Sequence, residues 1–303
     1  VKPVVLALPG NADLAGRLAS ELGGDLGQVE VRRFPDGESY VRIETEITGR
    51  PVVLAATLDR PDDKLLPLLL VAGTARDLDA SSVGLAAPYL PYMRQDRAFH
   101  PGEAESAYHF AHVLSGTIDW LVTVDPHLHR IHTLREIYSV PVEVVHAGRR
   151  LGRWIQRHVP EPVLVGPDEE SRQWVGAVAA EAGAPWTVLT KRRRGDYSVD
   201  VTLGDVAPLS GRTPVLVDDI VSTGRTMVAA MGLLAERGCA PPYCVAVHGI
   251  FADGAYDQLL AAGARAAVTT NTVPHPTNAI DVLDLVAGAI RAITEPVGLG
   301  RDP

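Results

Sequence analysis

Short apolar runs recur along the chain at residues 4–8, 52–56, 83–86, 120–124, 163–165, 214–217 and 243–247. Each is of strand length and rich in β-branched residues, and most do not alternate apolar with polar, as expected of strands covered on both faces. Between them lie longer Ala/Leu-rich stretches of helical period, which predict helices over 13–22, 64–78, 107–114, 171–182 and 226–237. Strands alternating with helices predict an α/β fold built on mainly parallel sheets flanked by helices. The pattern also repeats. Val4-Val-Leu-Ala-Leu-Pro-Gly10 with the helix ending Leu22-Gly-Gly24 reads like Val163-Leu-Val-Gly-Pro-Asp168 with the helix ending Glu181-Ala-Gly183, which suggests a duplicated unit. The polar, Arg-rich stretch 147–158 is read as the seam, giving an N-terminal domain 1–147 and a C-terminal domain 148–303. The Gly/Pro-containing tail 294–303 is expected to fray.

A chain of 303 residues suffices for two domains with cores of their own. Its net charge of −9 argues against a continuous nucleic-acid surface, and the basic residues cluster only at Lys191-Arg-Arg-Arg194. Cys239 and Cys244 stand in an apolar stretch with no further Cys or nearby His to complete a zinc site, so they read as buried thiols. No apolar run approaches the ~18 residues of a membrane span, and the N-terminus lacks a signal-peptide pattern, so a cytoplasmic location without membrane contact is expected.

Chemistry concentrates in Val215-Leu-Val-Asp-Asp-Ile-Val-Ser-Thr-Gly-Arg-Thr226. Its apolar start predicts a strand that Asp218 and Asp219 close, followed by a turn at Ser222–Thr226 and a helix from Met227. A polar loop at the carboxyl end of a parallel strand is where open α/β sheets bind ligands. Backbone N–H groups at the helix start, with the Ser222, Thr223 and Thr226 hydroxyls, suit a phosphate monoester, and Gly224 permits the tight turn. Asp218 and Asp219 can accept hydrogen bonds from the 2- and 3-hydroxyls of a sugar. Alternatively, the aspartates merely end the strand and the hydroxyls cap the helix. The string resembles the ribose-5-phosphate loop shared by type I phosphoribosyltransferases and the ribose-phosphate diphosphokinases, and by itself leaves both open.

Further motifs separate the two. Arg33-Phe-Pro-Asp-Gly-Glu38 and Pro88-Tyr-Leu-Pro-Tyr-Met-Arg-Gln-Asp-Arg97 resemble signatures of the diphosphokinases, also called phosphoribosyl pyrophosphate synthetases, that simple transferases lack. Chemically, Phe34 can stack on a purine, Asp36 and Glu38 can accept from its amine, and Arg94 with Gln95 can reach phosphates and base. The plain alternative is a β-turn beside a core Phe34 and a surface ion-pair cluster of Arg94, Asp96 and Arg97. Asp125-Pro-His-Leu-His-Arg-Ile-His132 resembles the family's Asp-x-His motif, which implies His127 as a ligand of the magnesium that bridges ATP phosphates; a zinc site of His127, His129 and His132 is the alternative. Gly166-Pro-Asp-Glu-Glu-Ser171 stands where the family has its pyrophosphate loop, which implies a second metal or sugar role for Asp168. Two departures occur: Glu170-Ser171 replaces the usual glycine, and Arg225 replaces a glycine or small residue between Gly224 and Thr226. Thr190-Lys-Arg-Arg-Arg194 resembles the start of the catalytic flexible loop, implying Lys191 and Arg193 as catalytic cations.

The resemblance spans about residues 8–274 with its motifs in order. It implies two tandem phosphoribosyltransferase-like domains, the N-terminal one carrying most of the ATP site and the C-terminal one the ribose 5-phosphate loop, Arg225 included. The implied reaction moves pyrophosphate from ATP to the 1-hydroxyl of ribose 5-phosphate, giving phosphoribosyl pyrophosphate and AMP, with Mg2+ as cofactor. A homo-oligomer, a dimer or a hexamer, is also implied. The rivals are a phosphoribosyltransferase and a catalytically weakened, nucleotide-binding regulator of a synthetase.

Overall fold

The computed structural model describes residues 1–169, 171–194, 198–203, 209 and 211–294, with backbone alone for 173, 190–194 and 198–203. The chain forms two compact units, one made of Val1–Val145 joined by the helix at Leu283–Thr294, the other of His146–Val282. The first unit thus ends two residues before the expected boundary of 147, and it takes back a helix assigned by sequence to the second. That helix packs with apolar Leu283, Val286, Ala287 and Ile290, and Arg291 donates to the Glu21 carbonyl at 2.8 Å. The tail from 295 lies outside the described residues.

In the first unit the elements run β1 (Val4–Ala7), α1 (Ala12–Leu22), β2 (Asp25–Gly27), β3 (Val29–Arg33), β4 (Ser39–Ile43), β5 (Pro51–Ala55), α2 (Pro61–Asp77), β6 (Ser82–Ala87), α3 (Ser106–Ser115), β7 (Trp120–Val124) and β8 (Val142–Val145). Six strands pair in parallel in the order β2-β1-β5-β6-β7-β8, while β3 and β4 form a separate antiparallel hairpin. Strands with no polar face, such as β7, are buried throughout, as the missing alternation required.

The second unit runs α4 (Gly148–His158), β9 (Pro162–Gly166), α5 (Arg172–Ala182), β10 (Trp186–Arg194), β11 (Ser198–Leu203), β12 (Thr213–Val221), α6 (Arg225–Glu236), β13 (Tyr243–Gly249), α7 (Ala255–Ala261), β14 (Ala266–Thr270) and β15 (Asn278–Ile280); the returning helix is α8 (Leu283–Thr294). Its sheet has the order β11-β10-β9-β12-β13-β14-β15, parallel except for the β10–β11 pair. With the hairpin and β11 set aside, both sheets wind identically. Each chain segment lays its second strand outside its first and then adds the remaining strands on the other side, and each inserts its extra strands after that second strand. The order therefore reverses beside β1 and β5 in one unit, and beside β9 and β12 in the other.

The Arg-rich stretch read as a seam is helix α4, whose Leu151, Gly152 and Ile155 are buried while Arg149, Arg153 and Arg157 are exposed. Its apolar residues are few because it packs closely on α5: a Cβ at Gly152 would lie 2.5 Å from the Glu181 Cβ and 2.8 Å from the Val178 carbonyl oxygen. Among the described residues no helix is long and apolar enough to cross a membrane. Gly152→Ala is expected to lower stability by about 1–3 kcal/mol, as overpacking does, whereas Gly148→Ala, whose Cβ would meet only a Val178 methyl at 3.6 Å, is expected to be tolerated. Thermal denaturation of both variants checks the difference.

Candidate functional site

In the second unit the site is built where the strand order reverses. β12 does not close at the aspartates but runs on to Val221, with Asp218 in register with Ala246 and Ile220 with His248. The neighbouring strand extends alongside, so ladder bonds continue past the carboxylates. Beside it, β9 ends at Gly166 and leads into Asp168, whose carboxylate accepts from the Ser171 N–H at 3.1 Å while the Ser171 hydroxyl donates to the Asp168 carbonyl at 2.7 Å. Ser171 thus braces Asp168. Glu170 lies outside the described residues.

This places three carboxylates at two adjacent strand ends. Burial pushes the Asp218 carboxyl well above the usual carboxylate range, and the negative charges of Asp219 and Asp168 push it further; the Asp219 N–H, donating to Asp218 at 3.0 Å, opposes them. Such a cluster holds excess negative charge that a cation, a proton or sugar hydroxyls must offset.

The loop beyond β12 also differs from simple capping. The N-cap of α6 is Gly224, left-handed at φ 68°, with no side-chain cap bond, and the helix starts at Arg225 rather than Met227. Among the described residues, nothing pairs with the hydroxyls of Ser222, Thr223 and Thr226. The helix start leaves backbone donors without helical partners there, with Ser222 and Thr223 half-buried and Arg225 and Thr226 exposed. Lys191 and Arg193 sit in strand β10, opposite Val201 and Val199 of β11, so Thr190–Arg194 is strand backbone where a loop was expected; their side chains lie outside the described residues.

In the first unit, Phe34 is no core residue. It stands 39% exposed at the β3–β4 turn, where its N–H donates to the Glu38 carbonyl at 2.8 Å and its carbonyl accepts from Gly37 at 2.9 Å. The Arg32 guanidinium lies 4.0 Å from the Tyr40 ring centre and 4.7 Å from that of Phe34, and the two rings meet edge to face. Asp36 and Glu38 are exposed on the same turn, the Asp36 carboxylate accepting from the Glu38 N–H at 3.2 Å.

Arg94 and Gln95 are exposed on the loop after β6, and His127 is half-buried on the loop after the adjacent β7. Asp96 joins these loops. Its side chain, only 2% exposed, accepts from the Arg130 guanidinium at 2.9 Å and from the Arg130 N–H at 3.0 Å. Burial alone would raise this carboxyl, but the Arg130 bonds outweigh it and hold it below the ordinary range. The alternative of a surface ion-pair cluster of Arg94, Asp96 and Arg97 is therefore not what forms; Arg97 lies over Phe99, 4.8 Å from its ring centre. The first turn of α2 ties in the hairpin: Asp63 pairs with Arg33 at 3.3 Å, and Asp62 accepts from the Tyr92 hydroxyl, raising its pKa to about 12. His129 and His132 are exposed, and among the described residues no group of three His, Cys, Asp or Glu could hold a metal unaided.

The role of Arg130 was not legible in the sequence, its only motif signal being its place between His129 and His132. Asp96→Ala is expected to cost about 1–3 kcal/mol near neutral pH, the range for a bond to a charged group. Because the folded Asp96 pKa is depressed, its contribution is complete above the unfolded value of ~3.9 and is lost as pH falls through the folded value. Denaturant unfolding at pH 7 and pH 3 should accordingly show the gap between parent and variant narrowing in acid.

Residues 4–117 match the N-terminal domain of ribose phosphate pyrophosphokinase, and residues 142–275 match the phosphoribosyl transferase domain. The ribose-phosphate pyrophosphokinase of Methanopyrus kandleri is 36% identical over 96% of this chain and 99% of its own length. That of Sulfolobus acidocaldarius is 32% identical over 91% of this chain and 95% of its own. The crystal structure of phosphoribosylpyrophosphate synthetase from Mycobacterium smegmatis superposes with a TM-score of 0.85 at 28% identity, covering 97% of this chain and 99% of that one. The two tandem units are thus of the phosphoribosyltransferase type, and the chain belongs to the ribose-phosphate pyrophosphokinase family, enzymes of phosphoribosyl pyrophosphate synthesis.

Proposed function

We propose that this enzyme moves the β,γ-pyrophosphoryl group of ATP to the 1-hydroxyl of ribose 5-phosphate, releasing AMP. The observation that carries the reading is the meeting, at the β9 and β12 ends, of a carboxylate cluster with a loop of unpaired hydroxyls at a helix start. A sugar phosphate needs both chemistries. The Ser222, Thr223 and Thr226 hydroxyls with the Gly224 and Arg225 backbone take the 5-phosphate, and Asp218 with Asp219 accept from the ring hydroxyls.

ATP is assigned to the first unit. Phe34 offers its ring to the adenine, Asp36 and Glu38 accept from the amine, and Arg94 and Gln95 serve phosphates and base. Since Phe34 is exposed on its hairpin, a second copy of the chain is proposed to cover the adenine, in a dimer or a hexamer. The 1-hydroxyl oxygen attacks the β-phosphorus, the bond from that phosphorus to the α-phosphate oxygen breaks, AMP leaves, and the hydroxyl proton passes to solvent. Lys191 and Arg193 neutralise charge on the group in transit.

Magnesium suits carboxylate oxygens and keeps waters and substrate phosphates as most of its ligands, which accords with described residues of which no three His, Cys, Asp or Glu are placed to hold a metal together. His127 is proposed as a ligand of the ion that accompanies ATP, though an unusual one for so hard an ion, and Asp168 separately as a ligand of a second ion or a partner of the sugar. When bound, the ion would offset triphosphate charge. Ser171 keeps Asp168 oriented for that role.

AMP release should require ATP, ribose 5-phosphate and magnesium together; ATP binding without turnover would favour the regulatory alternative. Lys191→Ala is expected to lower kcat by about 10²–10³, as loss of a transition-state donor does, while KM values change little; equal losses in both would contradict its role. Arg225 places a cation at the positive end of α6, which costs about 0.3–1 kcal/mol without an anion. Arg225→Gln is therefore expected to raise thermal stability of the substrate-free enzyme while raising KM for ribose 5-phosphate.

A further inference from the structure

We infer that Phe251 is a positioning residue for the sugar-phosphate loop, acting through the Val221–Ser222 peptide; the inference rests on the assignment of that loop to ribose 5-phosphate. Phe251 follows β13 with φ 45°, a left-handed conformation that bulky side chains rarely adopt, and Asp253 and Gly254 follow at φ 54° and 72°. Strain of this kind persists only where the surroundings impose it, and it concentrates at functional sites.

Here the surroundings are explicit. The Phe251 ring meets Tyr256 edge to face at 5.7 Å and lies 4.4 Å from the His275 ring, centre to centre. Gly249 leaves it room: a Cβ there would stand 2.6 Å from the Phe251 ring. On the other side of the segment, the Ala255 methyl would lie 3.4 Å from a Cβ at Gly224, so the turn abuts the loop itself.

The consequence lies in the backbone. The Ile250 and Phe251 N–H groups both donate to the Val221 carbonyl, at 2.9 and 3.1 Å. A trans peptide points its C=O and N–H in opposite directions. With the Val221 carbonyl drawn toward the β13 side, the Ser222 N–H is turned to the β9 side, where Asp168 and the strand-order reversal lie. Among the described residues that N–H has no acceptor. Phe251, locked in its left-handed state by the ring contacts, thus aims one backbone donor into the crevice, where the phosphate of ribose 5-phosphate would accept it. Displacing Phe251 from this turn would shift the Ile250–Phe251 segment and loosen the pair of bonds that holds the Val221 carbonyl, so the Ser222 N–H would be aimed less firmly.

Calorimetric binding of ribose 5-phosphate and steady-state kinetics on the full-length enzyme test this. Phe251→Ala should weaken ribose 5-phosphate binding and raise its KM by about tenfold, the loss of one hydrogen bond to a charged group, with KM for ATP unchanged. Phe251→Tyr should keep the parent values. Should Phe251→Ala not fold, Gly249→Ala, which displaces the ring but keeps it, decides by the same ratio of KM values. Equal changes for both substrates, or a lowered melting temperature with unchanged ribose 5-phosphate binding, overturn the role of Phe251. A parent enzyme that binds no ribose 5-phosphate overturns the assignment of the loop as well.

Discussion

Like charges brought together at the ends of two parallel strands govern this protein. Asp218 is half-buried beside Asp219 and Asp168, and desolvation together with their charges forces its carboxyl well above the ordinary range. Nothing in the packing of β9 and β12 requires acids at these positions, and apolar residues would cost less. Under the proposed function, the cluster is offset by a cation and by hydroxyl donors of the sugar. Its neighbours are arranged to that end: Ser171 orients Asp168, the Asp219 N–H steadies Asp218, and the loop from Ser222 supplies anion donors a few residues further on.

The two units share one winding but not one use of it. In the second unit the crevice at the reversal of strand order carries the carboxylates and the loop. In the first, the corresponding place between β1 and β5 is occupied by Asn11, a buried side chain that accepts from the Thr57 N–H at 2.8 Å and donates to the Leu8 and Pro9 carbonyls. Its polar groups are satisfied within the protein. Candidate nucleotide residues lie instead at the β6 and β7 ends and on the β3–β4 hairpin, tied together by Asp96 with Arg130 and by Asp62 and Asp63 of α2. Duplication of the fold with divergence of the crevice gives one chain two different binding surfaces.

Much of this was legible in the residues, for identifiable reasons. Strands covered on both faces write continuous apolar runs, so the central strands could be read directly, and the Asp-Asp and Ser-Thr-Gly string carries its chemistry in its composition. What escaped depends on partners distant in sequence. Helix α4 looked like a seam because close packing on α5 lets Gly152 stand where a large apolar residue would otherwise mark the buried face. Asp96 looked like a surface charge because Arg130, which buries it, lies 34 residues away. β12 runs past its aspartates because β13 is long enough to pair there, and local propensity holds no record of a neighbour's length. The strain at Phe251 is a backbone angle, invisible in a string of letters.

Transfer of an intact pyrophosphoryl group between the two substrates is the central claim, and the fate of the β-phosphorus tests it most directly. ATP labelled at the β-phosphorus, incubated with the enzyme, ribose 5-phosphate and magnesium, should place the label on the sugar's 1-oxygen while unlabelled AMP accumulates in equal amount. Label retained in ADP, or ATP left intact in the presence of bound ribose 5-phosphate, would contradict it.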